Sequence, residues 1–429
     1  MYEQVRQVVH DSGLWGNGRE SSHGFILSPS VYEVSQEKRD ELEAIGAALH
    51  DCLAGFGRIA TIAFNPKLGH SATWGMIVKV LHTGVPAIYH DIMLLNPSSV
   101  PSICKVDIME SESGEFRIAE IDGHNKHGLG YSTLTARIRR AIMPEAKAFP
   151  GVAATLASEI KRRGENTAVL LYADQERFYL PEFRILQAEL ATNGVEVVVV
   201  AESDVCVEGD KVAVSKGKDS KEHRLFVDLP FMTVRGAHSQ AVNQVLSARY
   251  RAGEIDFLIP PKPFYGSKAV LALLRNDFGN EELEAILKSQ IRSASLELLR
   301  QYIPETYLVH KRAKEEYWRG KCNSNRFVLK ESISSGMKGT VFSDEPHFSA
   351  IMKRACDSYY RFVLQKEVTN RSRSFQYFAD GGCLRQGEWF MRITVHYSVR
   401  RVADIVITAR QDKKVHGALD CLQLGAIVV

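Results

Sequence analysis

The chain has 429 residues, more than one compact hydrophobic core usually accommodates, so its length predicts two or three domains. Its composition is 45% hydrophobic, 24% charged and 9% aromatic, which is ordinary for a soluble globular enzyme. The formal net charge of +3, from 54 basic and 51 acidic residues, gives no reason to expect nucleic acid or an anionic membrane as the main partner.

The seven cysteines are scattered and include no C-x-x-C pair, so the sequence predicts neither a disulfide framework nor a zinc site. The first residues, MYEQVRQVVHDSGLW, alternate charged and apolar residues like a surface helix and contain no signal-peptide core. No apolar run approaches the roughly 20 residues that a membrane helix needs. We therefore expect a soluble, cytoplasmic protein.

Helix and strand signals are mixed in the first 150 residues. The segment KRDELEAIGAALHDCLAGFG has helical spacing and ends on glycine, whereas VPAIYHDIMLL and FRIAEID are typical of buried strands. From about residue 166, NTAVLLYAD, LPEFRILQAELATNG and VEVVVVAES follow one another as strand, helix and strand. Such a βαβ unit builds a parallel sheet.

Further along, HRLFVDLPFMTVRG predicts a strand pair, and YGSKAVLALLRNDF and EELEAILKSQIRSASLELLRQY have helical spacing. After about residue 300 short β-type runs dominate: RFVLK, TVFS, FVLQKEV, FMRITVHYS and VADIVITAR. The sequence therefore predicts an α/β protein with an α+β C-terminal part. Its three predicted regions are an N-terminal α/β region, a βαβ region and a C-terminal domain, at residues 1–165, 166–300 and 301–429.

The stretch FVLKESISSGMKGTVFS is a candidate phosphate-binding hairpin. A phosphate needs positive charge and convergent backbone N–H groups, and a glycine-rich turn beside a lysine offers both. Such a lysine is more often a solvated strand-end residue, so the hairpin alone indicates little. The candidate residues are Lys330, Ser334, Ser335, Gly336, Lys338 and Gly339.

The order of segments strengthens this interpretation. The run IPETYLVH precedes the lysine strand, and LQKEV and paired strands bearing arginines follow the hairpin. This order resembles the ATP-grasp ligases over residues 300–429. Upstream, PPKPFYGSKAVLALLRND and VDIMESESGEFRIAEIDGHNKHGLG are similar to segments of glutathionylspermidine-synthase-like members, which have a pre-ATP-grasp region before the ATP-grasp domain.

The resemblance implies a role for each matching residue. Lys330 and Lys268 would contact the nucleotide, and 334–339 would form the phosphate loop. The family's hinge, whose backbone binds the adenine edge, falls at Gln365, Lys366 and Val368, with Glu367 as a candidate contact to the ribose or adenine. Arg392 and Arg410 lie on the strands where such ligases hold the transferred phosphoryl group, a task that suits the planar, always charged guanidinium.

The expected magnesium site departs from the family pattern. ATP-grasp enzymes usually end with an acidic residue followed by Glu-x-Asn, but this chain ends HGALDCLQLGAIVV. The carboxylates in that part are Glu388, Asp404 and Asp420, and the sequence does not rank them. Magnesium prefers oxygen ligands and often keeps several waters, so a sparse protein shell remains compatible with it.

The segment EIDGHNKHGLG is a second candidate site. Glu120 and Asp122 share one side of a strand end, and His124 and Asn125 follow in a glycine-containing loop. A structural loop and a pocket for an amine substrate, at the carboxyl end of a parallel strand, are about equally supported. Arg235, at the end of FMTVRG, is expected to point toward the same face.

Together these features predict an ATP- and Mg²⁺-dependent carboxylate–amine ligase acting on small amino acids, peptides or amines through an acyl phosphate. Two alternatives remain: a nucleotide-binding relative without ligase activity, in a regulatory or scaffold role, and an unrelated α/β enzyme. The expected partners are a small carboxylate and a small amine, with no nucleic acid or membrane. The resemblance also allows a homodimer, although the sequence does not indicate an oligomeric state.

Overall fold

The computed structural model describes residues 1–15, 23–65, 71–208, 211–214, 223–230, 237–311, 315–334 and 339–429. Within these residues the chain is a mixed α/β structure. The helices are α1 Tyr2–Asp11, α2 Gln36–Ala63, α3 Ala72–His82, α4 Leu129–Ile142, α5 Val152–Arg162, α6 Leu180–Thr192, α7 Ala237–Arg251, α8 Lys268–Arg275, α9 Glu281–Gln290, α10 Ser293–Tyr302, α11 Glu315–Ser324 and α12 Phe348–Cys356.

The strands alternate with these helices along most of the chain. They are β1 Tyr32–Val34, β2 Cys104–Glu110, β3 Phe116–Asp122, β4 Thr167–Tyr172, β5 Glu196–Ala201, β6 Val205–Glu208, β7 Lys211–Val214, β8 Leu225–Phe226, β9 Asp256–Phe257, β10 Thr306–His310, β11 Phe327–Glu331, β12 Thr340–Phe342, β13 Tyr359–Lys366, β14 Ser372–Phe378, β15 Leu384–Ser398, β16 Arg401–Arg410 and β17 Leu422–Val428.

The largest sheet joins strands from both ends of the chain. Its seven strands run in the order β1-β17-β16-β15-β2-β3, with β14 paired to β15. The β1–β17 pair is parallel and the other pairs are antiparallel. This sheet therefore combines strands from both sides of the domain boundary expected near residue 300, and the three-domain division stays a prediction.

One face of this sheet is apolar and packs against α2. Alternate residues of β15, among them Ile393 and Val395, are buried in one core cluster with residues of α2 such as Leu49. Helix and sheet approach closely at Gly46, where an added Cβ would lie 2.5 Å from the Tyr397 ring. Alternation along a strand sends the remaining β15 residues to the opposite face.

The opposite face carries polar side chains and is partly covered by α4. At Gly425 of β17 an added Cβ would lie 2.9 Å from the Thr135 carbonyl oxygen of α4. The Ser132 hydroxyl of α4 donates a hydrogen bond of 2.7 Å to Asp404 of β16. Helix α4 therefore covers the β16–β17 side of this face.

A four-stranded antiparallel sheet forms separately, in the order β10-β13-β11-β12. Strands β11 and β12 form the predicted hairpin, in which Lys330 pairs with Thr340. Buried residues of α11 and α12, including Trp318 and Met352, share a core cluster with Leu329 and Leu364 of the sheet. Of the β-type runs expected after residue 300, RFVLK, TVFS and FVLQKEV form strands of this sheet, and FMRITVHYS and VADIVITAR lie in β15 and β16 of the large sheet.

A parallel sheet in the order β5-β4-β8-β9 contains the predicted βαβ unit. Strands β4 and β5 pair in parallel through six residues, and α6 connects them. An antiparallel hairpin of β6 and β7 follows. The βαβ prediction is confirmed.

One strand prediction was wrong, and a second was right about the strand but wrong about its pairing. The segment VPAIYHDIMLL forms short 3₁₀ turns at Ala87–Tyr89 and Ile92–Leu94, because a short buried apolar run does not by itself distinguish a strand from a helical turn. FRIAEID does form a strand, but β3 pairs antiparallel with β2, so Glu120 and Asp122 do not lie at the end of a parallel strand. Of the strand pair expected in 223–236, β8 is formed and 231–236 lie outside the described residues.

Within the described ranges, each helix is too short or too polar to cross a bilayer.

Candidate functional site

A β-bulge in β3 sets which side chains face the site. Asp107 pairs with Glu120, whereas the next residue of β2, Ile108, pairs with Ile118, so Ala119 is the extra residue. Without the bulge, Ile118 and Glu120 would face the same side of the sheet. The bulge turns Ile118 to the apolar face and places Glu120 beside Asp107 on the polar face.

The polar face continues on β15. Thr394, directly opposite Asp107, donates a hydrogen bond of 2.7 Å to that carboxylate. The Arg392 guanidinium lies 3.5 Å from Asp107 and donates to the Thr408 hydroxyl of β16 at 3.3 Å. A strand that places arginine and threonine on a largely buried face departs from apolar core patterning, and such departures are typical of functional sites.

Two lysines from separate elements reach this face. Lys268, the first residue of α8, donates to the Glu120 carboxylate at 2.9 Å and to the Ser334 carbonyl at 3.3 Å. Lys330, on β11, donates to the Ala119 carbonyl at 3.1 Å. The structure therefore brings together Lys268, Lys330 and Glu120, which the sequence assigned to two different sites.

The surroundings of Lys330 lower the pKa of its ammonium group. Burial lowers the pKa of Lys330 to about 8; Glu120 raises it and the second cation, Lys268, lowers it further. Its ammonium also donates to the Gln365 side-chain oxygen of β13 at 2.6 Å. Gln365, predicted as a hinge residue, therefore positions Lys330 from the neighbouring strand.

The hairpin after Lys330 requires a glycine. Gly339 has a φ of +72°, and an added Cβ would lie 2.8 Å from the Glu331 side chain. Its carbonyl accepts a hydrogen bond from the Glu331 N–H, which closes the turn. Ser334 donates to the Glu331 carbonyl at 3.3 Å. The three other predicted loop residues, Ser335, Gly336 and Lys338, lie outside the described residues.

The predicted adenine hinge has part of its backbone already engaged. The Lys366 N–H donates to the Glu305 carbonyl at 2.7 Å, and the Glu367 N–H donates to the Arg326 carbonyl at 2.9 Å. The Lys366 side chain is exposed, and Val368 follows the end of β13. These two backbone donors are therefore already used within the protein. The role of this segment in adenine binding stays a prediction.

Asp122 holds the loop after β3 together. It accepts hydrogen bonds of 2.9 Å from the Asn125 amide and lies 2.9 Å from the His124 ring and 2.8 Å from the Lys105 ammonium. Burial by itself would raise the pKa of Asp122, but Lys105 and His124 hold it well below its usual value. These contacts support the structural interpretation of Asp122, His124 and Asn125, and a substrate role for them stays a prediction.

The same loop is anchored to the parallel sheet. The Lys126 side chain is fully buried, with its ammonium 3.1 Å from Glu176 and 3.1 Å from Asp228, which follow β4 and β8. The Glu182 carboxylate accepts from the Gly128 N–H at 2.9 Å, just before α4 begins. These contacts fix the loop between the two sheets.

The carboxylates predicted to bind magnesium are not brought together. Glu388 is exposed on β15 and accepts from Ser372. Asp420 is exposed and pairs with Arg410 at 2.6 Å. Asp404 is buried beside α4, about 20 Å from Arg410 along β16. Arg410 is thus held at the far end of β16, and Arg235 lies outside the described residues.

Asp107 and Glu120 fit a magnesium ion better than those three carboxylates do. They are oxygen donors on directly opposed positions of β2 and β3, beside both site lysines. The described residues assemble no group of three or more metal-binding side chains. A magnesium ion that arrives with phosphates needs only one or two carboxylates, which this pair supplies.

Sequence reasoning missed Asp107 and Lys105. Their strand, CKVDIME, alternates Lys105 and Asp107 with the apolar Val106 and Ile108, a pattern that indicates one polar face. The strand partner that makes this face a site, β15, lies far along the chain and was not evident from local pattern.

No protein-family model matches the chain, and no curated protein sequence matches it. Among solved structures, the chain is similar to one titled "Putative gamma-glutamylcysteine synthetase" from Methylobacillus flagellatus KT. The identity is 12% and the TM-score 0.39, over 76% of this chain and 80% of that one. At these values the likeness defines neither the fold nor the activity of this chain.

Proposed function

We propose that the protein is an ATP-dependent ligase that joins a carboxylate to an amine through an acyl phosphate. One observation carries the proposal: Lys268 and Lys330, from separate elements, converge on one segment of β3. Lys268 donates to the Glu120 carboxylate and Lys330 to the adjacent Ala119 carbonyl, where the β10-β13-β11-β12 sheet meets the polar face of the large sheet. The two lysines suit the phosphates of a nucleotide, and the nearby carboxylates suit the magnesium ion that accompanies those phosphates. The ATP-grasp resemblance of the segment order supports the same conclusion.

In the proposed reaction, a carboxylate oxygen of the substrate attacks the γ-phosphorus of ATP, and ADP leaves. The amine nitrogen then attacks the acyl carbon, phosphate leaves, and the nitrogen loses a proton. Lys330 and Lys268 would neutralise the phosphates of ATP. Arg392, held beside Asp107 and Thr408, would bind the phosphoryl group as it moves.

Asp107 and Glu120 are the residues we assign to magnesium. When bound, the ion would neutralise charge on the phosphates and help to align them. The protein's own part is to hold both carboxylates at fixed positions: Thr394 and Arg392 orient Asp107, and Lys268 orients Glu120.

The first test is the melting temperature of the protein with and without Mg-ATP. A ligand that binds the native state alone stabilises it by about 2.7 kcal/mol at one hundred times its Kd. We expect the natural protein to be stabilised and Lys330→Ala to lose most of that response. Lys353→Ala, an exposed lysine on α12, is the matched control and should respond normally.

If Mg-ATP raises the melting temperature, carboxylates and amines are then screened in pairs for ADP release. Release that requires both partners supports the ligase and excludes a nucleotide-binding relative without activity. An unchanged melting temperature at millimolar Mg-ATP contradicts the proposed function.

A further inference from the structure

Beside the proposed magnesium carboxylates, the polar face of the large sheet carries a histidine that the proposed chemistry has not used. His396 lies on β15, two residues beyond Thr394, and only 1% of it is exposed. It is opposite Lys105 on β2 and opposite Asp404 on β16. Neither of its ring nitrogens has a hydrogen-bond partner among the described residues.

A buried polar group without a partner is costly, so its bonding capacity has to be explained. The acidic neighbours Asp122 and Asp404 do not accept a hydrogen bond from the His396 ring, and each is bonded to other groups. Asp122 is bonded to Lys105, and Asp404 accepts from the Ser132 hydroxyl and from the Ile405 N–H. What remains unused on this face is mainly donor capacity.

A second buried donor on the same strand adds to the unused donor capacity of this face. The Arg392 Nε–H has no partner among the described residues, although the guanidinium's other nitrogens contact Asp107 and Thr408. Lys105, opposite His396, brings a second cation to the same face, with its ammonium 2.8 Å from Asp122. Two cations and a neutral imidazole donor favour an oxyanion as the ligand.

The ring is suited to donating a hydrogen bond and unsuited to acting as a base. Burial, assisted by the charge on Lys105, lowers the pKa of His396 to about 3, so the imidazole is neutral near pH 7. A neutral ring always carries one N–H donor. A base so weak would not take the proton from an incoming amine.

Lys105 and His396 also lie close to the proposed phosphate site. Lys105 and Asp107 are two residues apart on β2, about 7 Å along the strand. The Lys105 side chain, opposite the buried His396, is 23% exposed, so solvent reaches part of it. An oxyanion bound there would lie next to the phosphates held by Lys268 and Lys330.

We propose that Lys105 and His396 form an oxyanion subsite, which binds either the carboxylate of the ligase substrate or the phosphoryl group transferred to it. This inference rests on the proposed function, because it names the substrate end of the same site. The two sources share one chemistry, an anionic oxygen that accepts from the imidazole N–H and the Lys105 ammonium.

The test is calorimetric titration with inorganic phosphate and, separately, with acetate, each with and without Mg-ADP. The variants are His396→Leu, which removes the donor, and His396→Gln, which keeps one. His90→Gln is the matched control, since that ring contacts the Val85 carbonyl outside the sheet. We expect His396→Leu to weaken binding about ten- to a hundredfold, His396→Gln less, and His90→Gln not at all.

Binding of phosphate alone would assign the subsite to the phosphoryl group, and binding of acetate to the substrate carboxylate. Equal affinity in the natural protein and His396→Leu, or no binding of either anion, would overturn the inference. Should His396→Leu fail to fold, ¹⁵N spectra of the histidine rings test the inference instead. The resonance of His396 is the one missing from the spectrum of His396→Gln, and in the natural protein it must shift when the anion is added. If Mg-ATP leaves the melting temperature unchanged, the proposed function fails, while the titrations without nucleotide still decide the subsite.

Discussion

Two ionic clusters lie at opposite ends of the β2–β3 hairpin, and they differ in how completely their charges are paired. At one end the Glu110 side chain is fully buried and lies 2.6 Å from Lys38 and 2.8 Å from Arg373. At the other end, Glu120 contacts Lys268 and is 28% exposed. The first cluster is closed, with its bonding capacity used within the protein, whereas the second retains capacity for a ligand.

The difference separates the structural role of Glu110 from the functional role that we propose for Glu120. Burial by itself would raise the pKa of Glu110, but Lys38 and Arg373 lower it, so the carboxylate stays ionised in the core. Removing the Glu110 carboxylate is destabilising, because Lys38 and Arg373, which are each only partly exposed, lose the acceptor that they share. Glu120 can exchange a partner, because part of it faces solvent.

The largest effect should follow from opening the closed cluster. We expect Glu110→Gln to lower the free energy of unfolding by about 1.5–3 kcal/mol, since the partly exposed Lys38 and Arg373 would lose the carboxylate between them. Urea denaturation measures this. Glu115→Gln, an exposed residue in the same hairpin, should change stability by less than about 1 kcal/mol. A Glu110 variant as stable as the natural protein would contradict the structural role.

The open cluster should show the reverse behaviour. Glu120→Gln still offers Lys268 an amide oxygen, so we expect stability to fall by only about 1 kcal/mol. Because a carboxylate assigned to magnesium is lost, the magnesium dependence of ATP-induced stabilisation should weaken about ten- to a hundredfold. Melting temperatures across a magnesium series at fixed ATP measure this. An unchanged dependence would remove Glu120 from the magnesium site.

The protonation of Lys330 adds a pH dependence to the open cluster. Its folded-state pKa of about 8 lies below its ordinary value of 10.5, so the free protein loses this charge as pH rises through 8. Phosphate binding needs the protonated form; ATP affinity should therefore be full below pH 8 and fall above it, by up to about tenfold per unit. Calorimetry from pH 7 to 9.5 measures this, and Lys330→Arg, which stays charged, should not show the fall.

The smallest effect is expected at the C-terminal carboxylates. Glu388 is exposed, so Glu388→Gln should change the free energy of unfolding by less than about 0.5 kcal/mol. It should leave the magnesium dependence of ATP stabilisation as it is in the natural protein. A weakened dependence in this variant would restore Glu388 as a magnesium ligand and count against Asp107 and Glu120.

Local pattern was enough to predict much of the fold. The βαβ unit, the helix opened by Lys268 and the hairpin after Lys330 each depend on spacing within a few dozen residues, and the structure contains all three. The pairing of β2 with β15 could not be inferred in this way, because no short-range signal specifies a partner so far along the chain.

The site was only partly predictable for the same reason. Lys268, Lys330 and Glu120 were identified from the segments that resemble the ATP-grasp family. The sequence analysis placed candidate magnesium carboxylates near the C-terminus. Asp107 and Glu120, to which we assign that role, lie side by side because of a bulge at Ala119, one unpaired residue that strand periodicity does not reveal. His396 was overlooked because its strand partners define its surroundings.

The large sheet also sets the order in which the protein can mature. Asp107 and Thr394, bonded side by side, are 287 positions apart. At the usual 5 to 20 residues per second, a ribosome needs about 15 to 60 s to travel that distance. Through that interval β2 has no β15 to pair with, and the polar face cannot form. A nascent chain should therefore acquire ATP binding only after β15 has left the exit tunnel, and premature arrest before β15 should leave the β2 edge open to aggregation.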